Sequence, residues 1–277
     1  MKKILFNKIC IVGVGLIGGS LGMAIKKQKL AKLVVGVVRR DRTAKETMHK
    51  KAVDVAIFDL KEGVRNADLV ILCGPVSIIA SQLKAISKYV SPKTMVIDVG
   101  SSKVLINKIG KEYLGSSFVG CHPIAGSEKT GVENACPYLF EKSICFVSKL
   151  HSKVNQFWRA LDATPITLSA EKHDEWVARS SHLPHLLAFS IFQDLKSPVK
   201  MPLNPSLRSL GRLARSNPEL WSDIFLSNRG AMLKALSKFK KNLAVFEKNI
   251  RANRKPNLLK FIRVANRFAL QKEGKNG

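Results

Sequence analysis

The chain has 277 residues, 45% of them hydrophobic and 24% charged, with a formal net charge of +27. That length holds two domains of ordinary size or one large one, and the composition excludes wholesale disorder. No apolar run approaches the ~20 residues of a membrane helix, and Cys10, Cys73, Cys121, Cys136 and Cys145 form no C-x-x-C pair, so no membrane partner, disulfide framework or metal site is expected. Buried, reduced thiols suit a cytoplasmic protein. Met1-Lys2-Lys3 and the apolar residues after it superficially resemble a signal peptide, but Asn7 and Lys8 interrupt the run. Lys and Arg are spread from Lys2 to Lys275. The charge therefore reads as a solvated basic surface that attracts anionic ligands, and nucleic acid is not the expected partner.

In chain order, Lys8 to Val12 predicts a strand, Ser20 to Lys27 a helix, and Leu33 to Val38 a second buried strand. Thr43 to Lys51 is polar and helix-like, and Val53 to Phe58 and Leu69 to Cys73 follow as strands. Ile78, Ile79, Leu83, Ile86 and Tyr89 have helical spacing. Thr94 to Val99 predicts a fifth strand, Ser102 to Tyr113 a helix, and Phe118 to Cys121 and Ser143 to Val147 further short strands. Short apolar strands alternating with helices indicate a parallel sheet covered on both faces. The expected fold class is α/β, with an N-terminal doubly wound Rossmann-type parallel sheet and an all-helical C-terminal domain. Strand signals fade after Leu150, while Ala170 to Phe192 and Glu219 to Asn249 are long helical patterns. A boundary is expected near residue 149, dividing 1–149 from 150–277. The basic end from Ile250 is predicted helical to about Leu270.

Gly13-Val14-Gly15-Leu16-Ile17-Gly18 matches G-x-G-x-x-G at the first strand-to-helix turn. In that context the pattern predicts a dinucleotide site. Gly13 permits the tight turn, Gly15 admits the pyrophosphate, and Gly18 lets helix and strand pack closely. Leu16 and Ile17 are counted among the cofactor-binding residues of this turn, and the N-terminus of the helix it opens offers free N–H groups to the phosphates. After the second strand, Val38-Arg39-Arg40 stands where an NAD enzyme usually carries an acid. Arg39 and Arg40 suit a 2′-phosphate, so NADP is the preferred cofactor, with NAD the alternative.

Ligands of open α/β sheets sit beyond the carboxyl ends of the strands. Gly74-Pro75-Val76 falls there and can line the nicotinamide side. Gly100-Ser101-Ser102-Lys103 and His122-Pro123-Ile124-Ala125-Gly126 also fall there. A histidine so placed can accept a proton near neutral pH.

Gly13 to Ser20 (GVGLIGGS), Asp98 to Lys103 (DVGSSK) and Cys121 to Val132 (CHPIAGSEKTGV) resemble the prephenate and arogenate dehydrogenases in order and spacing. So do His173-Asp174, Ser181 to His185 (SHLPH), Gly211 to Ala214, and Asn217 to Arg229 (NPELWSDIFLSNR). The resemblance covers about Lys8 to Arg229. It implies oxidative decarboxylation of prephenate or arogenate for tyrosine biosynthesis, with hydride passed to NAD(P). It further implies that His122 is the catalytic base and that Ser101 binds the same substrate hydroxyl. Arg212 would clamp the ring carboxylate, His182 would contact substrate with His185 three residues on, and Glu128 would belong to a gating or ionic network. The family's helical domain forms a homodimer.

Departures exist. Arg208-Ser209 stands where the family often has Arg-Asp, and Ser197 to Ser206 lacks glycine-rich character. Prephenate and arogenate are not separated by the sequence; a nearby acid would favour arogenate, with Glu219 and Asp223 as candidates. Two other readings stay open: another NADP-dependent hydroxyacid dehydrogenase, or a non-catalytic dinucleotide-binding protein associated with nucleic acid.

Overall fold

The structure is a computed structural model that describes residues 4–195 and 204–273. Met1-Lys2-Lys3, most of the Ser197–Ser206 stretch and the last residues of the chain lie outside the described residues. The chain forms two compact units, Met1–Arg229 and Gly230–Gly277.

The first unit begins with alternating strands and helices: β1 (Phe6–Val12), α1 (Leu16–Lys27), β2 (Ala31–Val37), α2 (Asp41–His49), β3 (Val55–Ile57) and α3 (Leu60–Val64). β4 (Leu69–Leu72), α4 (Val76–Ile86), β5 (Met95–Asp98), α5 (Val104–Leu114) and β6 (Phe118–Val119) complete the alternation. These strands form one parallel six-stranded sheet in the order β3-β2-β1-β4-β5-β6. The order reverses between β1 and β4, where the doubly wound fold opens its crevice.

The reason for the apolar strands is visible in the two cores. Ile9, Ile11, Leu69, Ile71 and Ile97 point into one, with Leu21 and Ile25 of α1. Cys10, Val12, Val70, Leu72 and Val96 point into the other, with Ile79 and Leu83 of α4. Side chains alternate across a strand, so a strand covered on both faces must be apolar at every position. Burying one such aliphatic side chain contributes about 1.5–3 kcal/mol.

The predicted strand Phe118–Cys121 is two strands in two sheets. β6 ends the large sheet, and β7 (Cys121–Pro123) joins a second sheet with β8 (Ile144–Val147) and β9 (Thr164–Thr167), in the order β7-β8-β9. The chain changes sheet at Gly120. A Cβ there would lie 2.1 Å from Asn107 Oδ1, so only glycine passes this close to α5. β9 was not expected, and its mostly exposed, Thr-rich sequence carries little strand signal. Between β8 and β9, α6 (Ser152–Ala160) sends Val154, Phe157 and Trp158 into the same core as Ile9 and Ile11.

The predicted helix 170–192 is interrupted. α7 (Ala170–Val177) passes into a π-helical segment at Ala178–His182 and then into α8 (Leu183–Asp194). Pro184 lies in the first turn of α8. Having no N–H, it cannot continue the i→i−4 ladder of the preceding helix. α9 (Pro205–Ala214) and α10 (Pro218–Ser227) follow, each capped by an asparagine, Asn204 and Asn217. The pattern read as one helix over 219–249 ends at Asn228, beyond which α11 (Arg229–Arg251) begins.

In the second unit, α11 turns at 252–254 into α12 (Lys255–Glu273), so helix continues past Leu270. Phe246 and Phe261 meet edge to face at 5.5 Å, and Asn257 Nδ2 donates to Asn249 Oδ1 at 3.0 Å. Leu243, Ile262 and Phe268 remain more than half exposed. Among the described residues, no helix is long and apolar enough to cross a membrane.

Candidate active site

The first turn of the large sheet is built by its glycines. Gly13 has φ +94°, and a Cβ there would lie 2.5 Å from the Cys73 carbonyl oxygen. A Cβ on Gly18 would lie 2.1 Å from the Gly13 oxygen. Both positions are therefore closed to larger residues by the fold itself. Gly15 differs: a Cβ there meets nothing within 4 Å. Gly15 precedes α1 without a side-chain cap, and the first turn of α1, which Leu16 and Ile17 begin, holds no acid. The uncapped N–H groups and positive dipole end of α1 suit a pyrophosphate, and the space at Gly15 suits its close approach. Gly15→Val is expected to fold normally and to raise the KM for the dinucleotide about 10- to 100-fold, the equivalent of ~1–3 kcal/mol of overpacking. Melting temperature and initial rates check the two parts separately.

At the end of β2, Val38 is buried while Arg39 and Arg40 are exposed, and no carboxylate precedes Asp41 at the start of α2. Beyond β4, Gly74 is half-buried and Pro75 exposed at the entry to α4. The Val76 side chain is buried in the core beside Ile79 and Leu83.

One buried carboxylate joins the serine loop to the histidine strand. Asp98, the last residue of β5, accepts from Gly100 N at 2.8 Å through Oδ2 and from Cys121 N at 3.2 Å through Oδ1. The residues held are the immediate predecessors of Ser101 and His122. The buried Lys103 ammonium donates to the same Oδ2. Burial pushes the Asp98 carboxyl up, and Lys103 with the two backbone N–H groups opposes that shift.

A second carboxylate orients His122 from a different element. His122 Nδ1 lies 2.9 Å from His173 Nε2, and His173 Nδ1 lies 2.8 Å from Asp174 Oδ1. Asp174 also accepts from Lys103 N at 2.7 Å and Val104 N at 2.9 Å, so its carboxylate caps α5. The carboxylate accepts, so His173 donates from Nδ1. Burial lowers the pKa of His173 despite its hydrogen bond to Asp174, leaving the ring neutral and its Nε2 an acceptor. His122 must then donate from Nδ1, which leaves its Nε2 without a proton. Burial first, then His173, Lys103 and His182, holds His122 well below the ordinary imidazole value. The ring is thus a neutral base with a free lone pair.

The structure brings several of the remaining candidates together. His182 closes the π-helical segment, buried, with its ring edge-on to Trp221 at 5.9 Å. His185 stacks on the same indole at 3.6 Å and donates from Nδ1 to the Ser181 carbonyl at 2.9 Å. Burial lowers the His185 pKa, Ser181 opposes this, and the nearby Arg212 cation adds to it. Arg212 itself is exposed on α9. Ser101 is half-buried, and its hydroxyl has no hydrogen-bond partner among the described residues. Glu128 is half-buried in the loop after β7, and no hydrogen bond or ion pair joins it to Arg212 among the described residues. The Asp223 carboxylate accepts from Ser77 N at 3.2 Å at the start of α4, and Glu219 is exposed. No group of three or more His, Cys, Asp or Glu with metal-site geometry occurs among the described residues.

Asp98, Lys103, His173, Asp174 and Asn228 were given no role by the sequence reading. An acid ending a wholly buried strand, as Asp98 does, is the one signal that could have drawn attention there. The others act through contacts that spacing does not reveal.

Residues 21–158 match the family described as "Prephenate dehydrogenase, nucleotide-binding domain", and residues 169–264 match "Prephenate dehydrogenase, dimerization domain". A prephenate dehydrogenase of Lactococcus lactis subsp. cremoris is 30% identical over 247 residues, spanning 86% of this chain and 69% of that protein. Among solved structures, prephenate dehydrogenase from Aquifex aeolicus, in complex with hydroxyphenyl propionate and NAD+, superposes with a TM-score of 0.88 at 26% identity over 96% of this chain and 98% of that one. Synechocystis arogenate dehydrogenase gives a TM-score of 0.80, also at 26% identity, over 96% and 99% of the two chains.

Proposed function

This chain belongs to the prephenate dehydrogenase family, and we propose that it carries out the oxidative decarboxylation of prephenate or arogenate in tyrosine biosynthesis. The observation that carries this reading is the chain from His122 Nδ1 through His173 to the Asp174 carboxylate, which assigns the His122 Nε2 as a proton acceptor at the crevice end of the sheet. The cofactor is a pyridine nucleotide; held at Gly13, Gly15 and the start of α1, it would supply the acceptor for the hydride that leaves ring carbon C4. His122 Nε2 accepts the proton of the C4 hydroxyl, so the carbonyl forms at that carbon. The C1 carboxylate leaves as carbon dioxide, and its bonding electrons complete the aromatic ring. Ser101 orients the hydroxyl, a role supported by Asp98, which accepts from the backbone N–H groups of Gly100 and Cys121 just before Ser101 and His122. Arg212 binds a substrate carboxylate, with His182 and His185, the latter within reach of the Arg212 charge, as further substrate contacts and Glu128 in an ionic or gating role.

NADP is the favoured cofactor. Arg39 and Arg40 stand exposed at the strand end where a ribose-binding acid is missing. Initial rates with prephenate and with arogenate, each with NAD and with NADP, test both proposals together. Arg39→Ala is expected to raise the NADP KM about 10- to 100-fold, the value of a charge-assisted hydrogen bond, and to leave NAD unaffected. Equal use of NAD and NADP, unchanged in the variant, overturns the cofactor reading. Absence of turnover with either substrate overturns the reaction.

A homodimer is inferred from the matched dimerization domain and from the exposed apolar side chains of α11 and α12. The division into a dinucleotide-binding part, 1–149, and a substrate-binding and dimerisation part, 150–277, is proposed on functional lines, since the first core itself runs on through α6. Five unpaired thiols suit a cytoplasmic enzyme. A hydroxyacid dehydrogenase with a catalytic lysine is disfavoured, because Lys103, close enough to lower the His122 pKa, is buried against Asp98.

A further inference from the structure

Asn228 ends α10, and its side chain is buried against residues from two other segments. Its Nδ2 lies 2.9 Å from the Asp174 carbonyl oxygen and 3.2 Å from His182 Nδ1. A carbonyl oxygen can only accept. The amide atom facing it is therefore the NH2 group, which settles the orientation of the asparagine. One amide hydrogen goes to Asp174, and the other meets His182 Nδ1. That nitrogen must accept. Burial lowers His182 to about 4, so at neutral pH the ring carries a single proton. With Nδ1 accepting, the proton resides on Nε2. No hydrogen bond engages this Nε2 among the described residues, and the Trp221 ring lies edge-on to the imidazole.

We propose that Asn228 is a positioning residue that holds His182 as an Nε2–H donor, so that this position recognises the keto oxygen of the substrate side chain and favours a 2-keto acid over its 2-ammonio counterpart. The inference rests on His182 being a substrate contact, as proposed above. Its physical basis is polarity. The 2-keto oxygen accepts the Nε2–H, whereas an ammonium at the same carbon has only donors to offer and leaves both partners unpaired; the side-chain carboxylate is common to both acids and does not discriminate. Asp174 thereby sets two opposite tautomers. Through its carboxylate and His173 it leaves His122 Nε2 bare. Through its carbonyl and Asn228 it leaves His182 Nε2 protonated.

Histidine 15N NMR of the whole protein, without substrate, reads these tautomers directly. The expected result is a pyrrole-type Nε2 for His182 and a pyridine-type Nε2 for His122, with assignments from His182→Gln and His122→Asn. An Nδ1–H tautomer at His182 overturns the proposal, whatever the kinetics. Asn228→Asp reverses the partner from donor to acceptor and is expected to move the His182 proton to Nδ1. The kcat/KM for prephenate should then fall about 10- to 100-fold relative to arogenate, with the dinucleotide KM unchanged. A moved proton with an unchanged substrate ratio overturns the recognition role. Absence of turnover by the unsubstituted enzyme overturns the functional reading and with it that role. It is told apart because the tautomer is measured without substrate, and in the parent protein the NMR result stands even if Asn228→Asp folds poorly.

Discussion

Replacing His122 with asparagine is expected to lower kcat by about 10²- to 10⁴-fold, the usual contribution of a positioned proton acceptor. The dinucleotide KM should stay within about twofold, because Gly15 and the start of α1 belong to a different turn. Asparagine is the informative choice. Its amide can still donate towards His173 Nε2, so the buried pair keeps a partner while the base is lost. The pH profile supplies an independent check. Burial, together with His173, Lys103 and His182, holds His122 well below 6.5. A depressed pKa means that the neutral, proton-accepting form persists as the pH falls. The kcat/KM profile should therefore stay level through pH 6.5 and decline only below it. An acidic limb at or above 6.5, or an asparagine variant with near-normal kcat, would remove His122 from the role of base.

Asp174→Ala is expected to damage stability and turnover together. The carboxylate accepts from Lys103 N, Val104 N and His173 Nδ1, and it is buried. Loss of a helix cap costs about 0.5–2 kcal/mol, and each orphaned buried donor about 1–3 kcal/mol. A total of about 2–5 kcal/mol corresponds to a fall in Tm of roughly 5–20 °C for a unit of this size. Below that temperature, kcat should still fall about 10²-fold or more, because nothing then selects the His173 tautomer that leaves His122 Nε2 bare. In the Ser-His-Asp triad, an asparagine in place of the aspartate that orients the catalytic histidine costs about 10⁴-fold through the wrong tautomer. Asp174→Asn should be milder here. Two donors, Lys103 N and His173 Nδ1, converge on the Oδ1 position, so the amide oxygen takes that place, the tautomers survive, and only Val104 N loses its acceptor. Thermal melts and single-turnover rates on both variants check the pair of effects. A variant that melts early but turns over normally would leave Asp174 with the helix cap alone.

Much of the architecture was legible because it rests on local patterns. The wholly apolar β1, β4 and β5 announced a sheet covered on both faces, and Gly13, Gly15 and Gly18 announced the turn beyond β1. The misreadings share a cause. Phe118–Cys121 looks like one strand, but Gly120 passes too near Asn107 for the chain to stay in one sheet. The helical period of 170–192 is continuous on paper, yet Pro184 breaks the ladder and a π-helical segment carries His182. The long pattern from 219 stops at Asn228, whose side chain is taken by partners 54 and 46 residues away.

The chemistry divides along the same line. Residue types and spacing alone determined the dinucleotide turn, the absence of an acid at the end of β2, and the positions of Ser101 and His122 beyond the ends of β5 and β6, where ligands gather; that His122 lies inside β7 of a second sheet was not legible. Tertiary structure decided what those groups are able to do. A neutral imidazole can be acid-like at one nitrogen and base-like at the other, and which is which depends on the atom that faces it. For His122 that atom belongs to His173, 51 residues along the chain; for His182 it belongs to Asn228, 46 residues along. No spacing rule reaches so far, because such contacts exist only once separate elements have packed around a common residue, here Asp174.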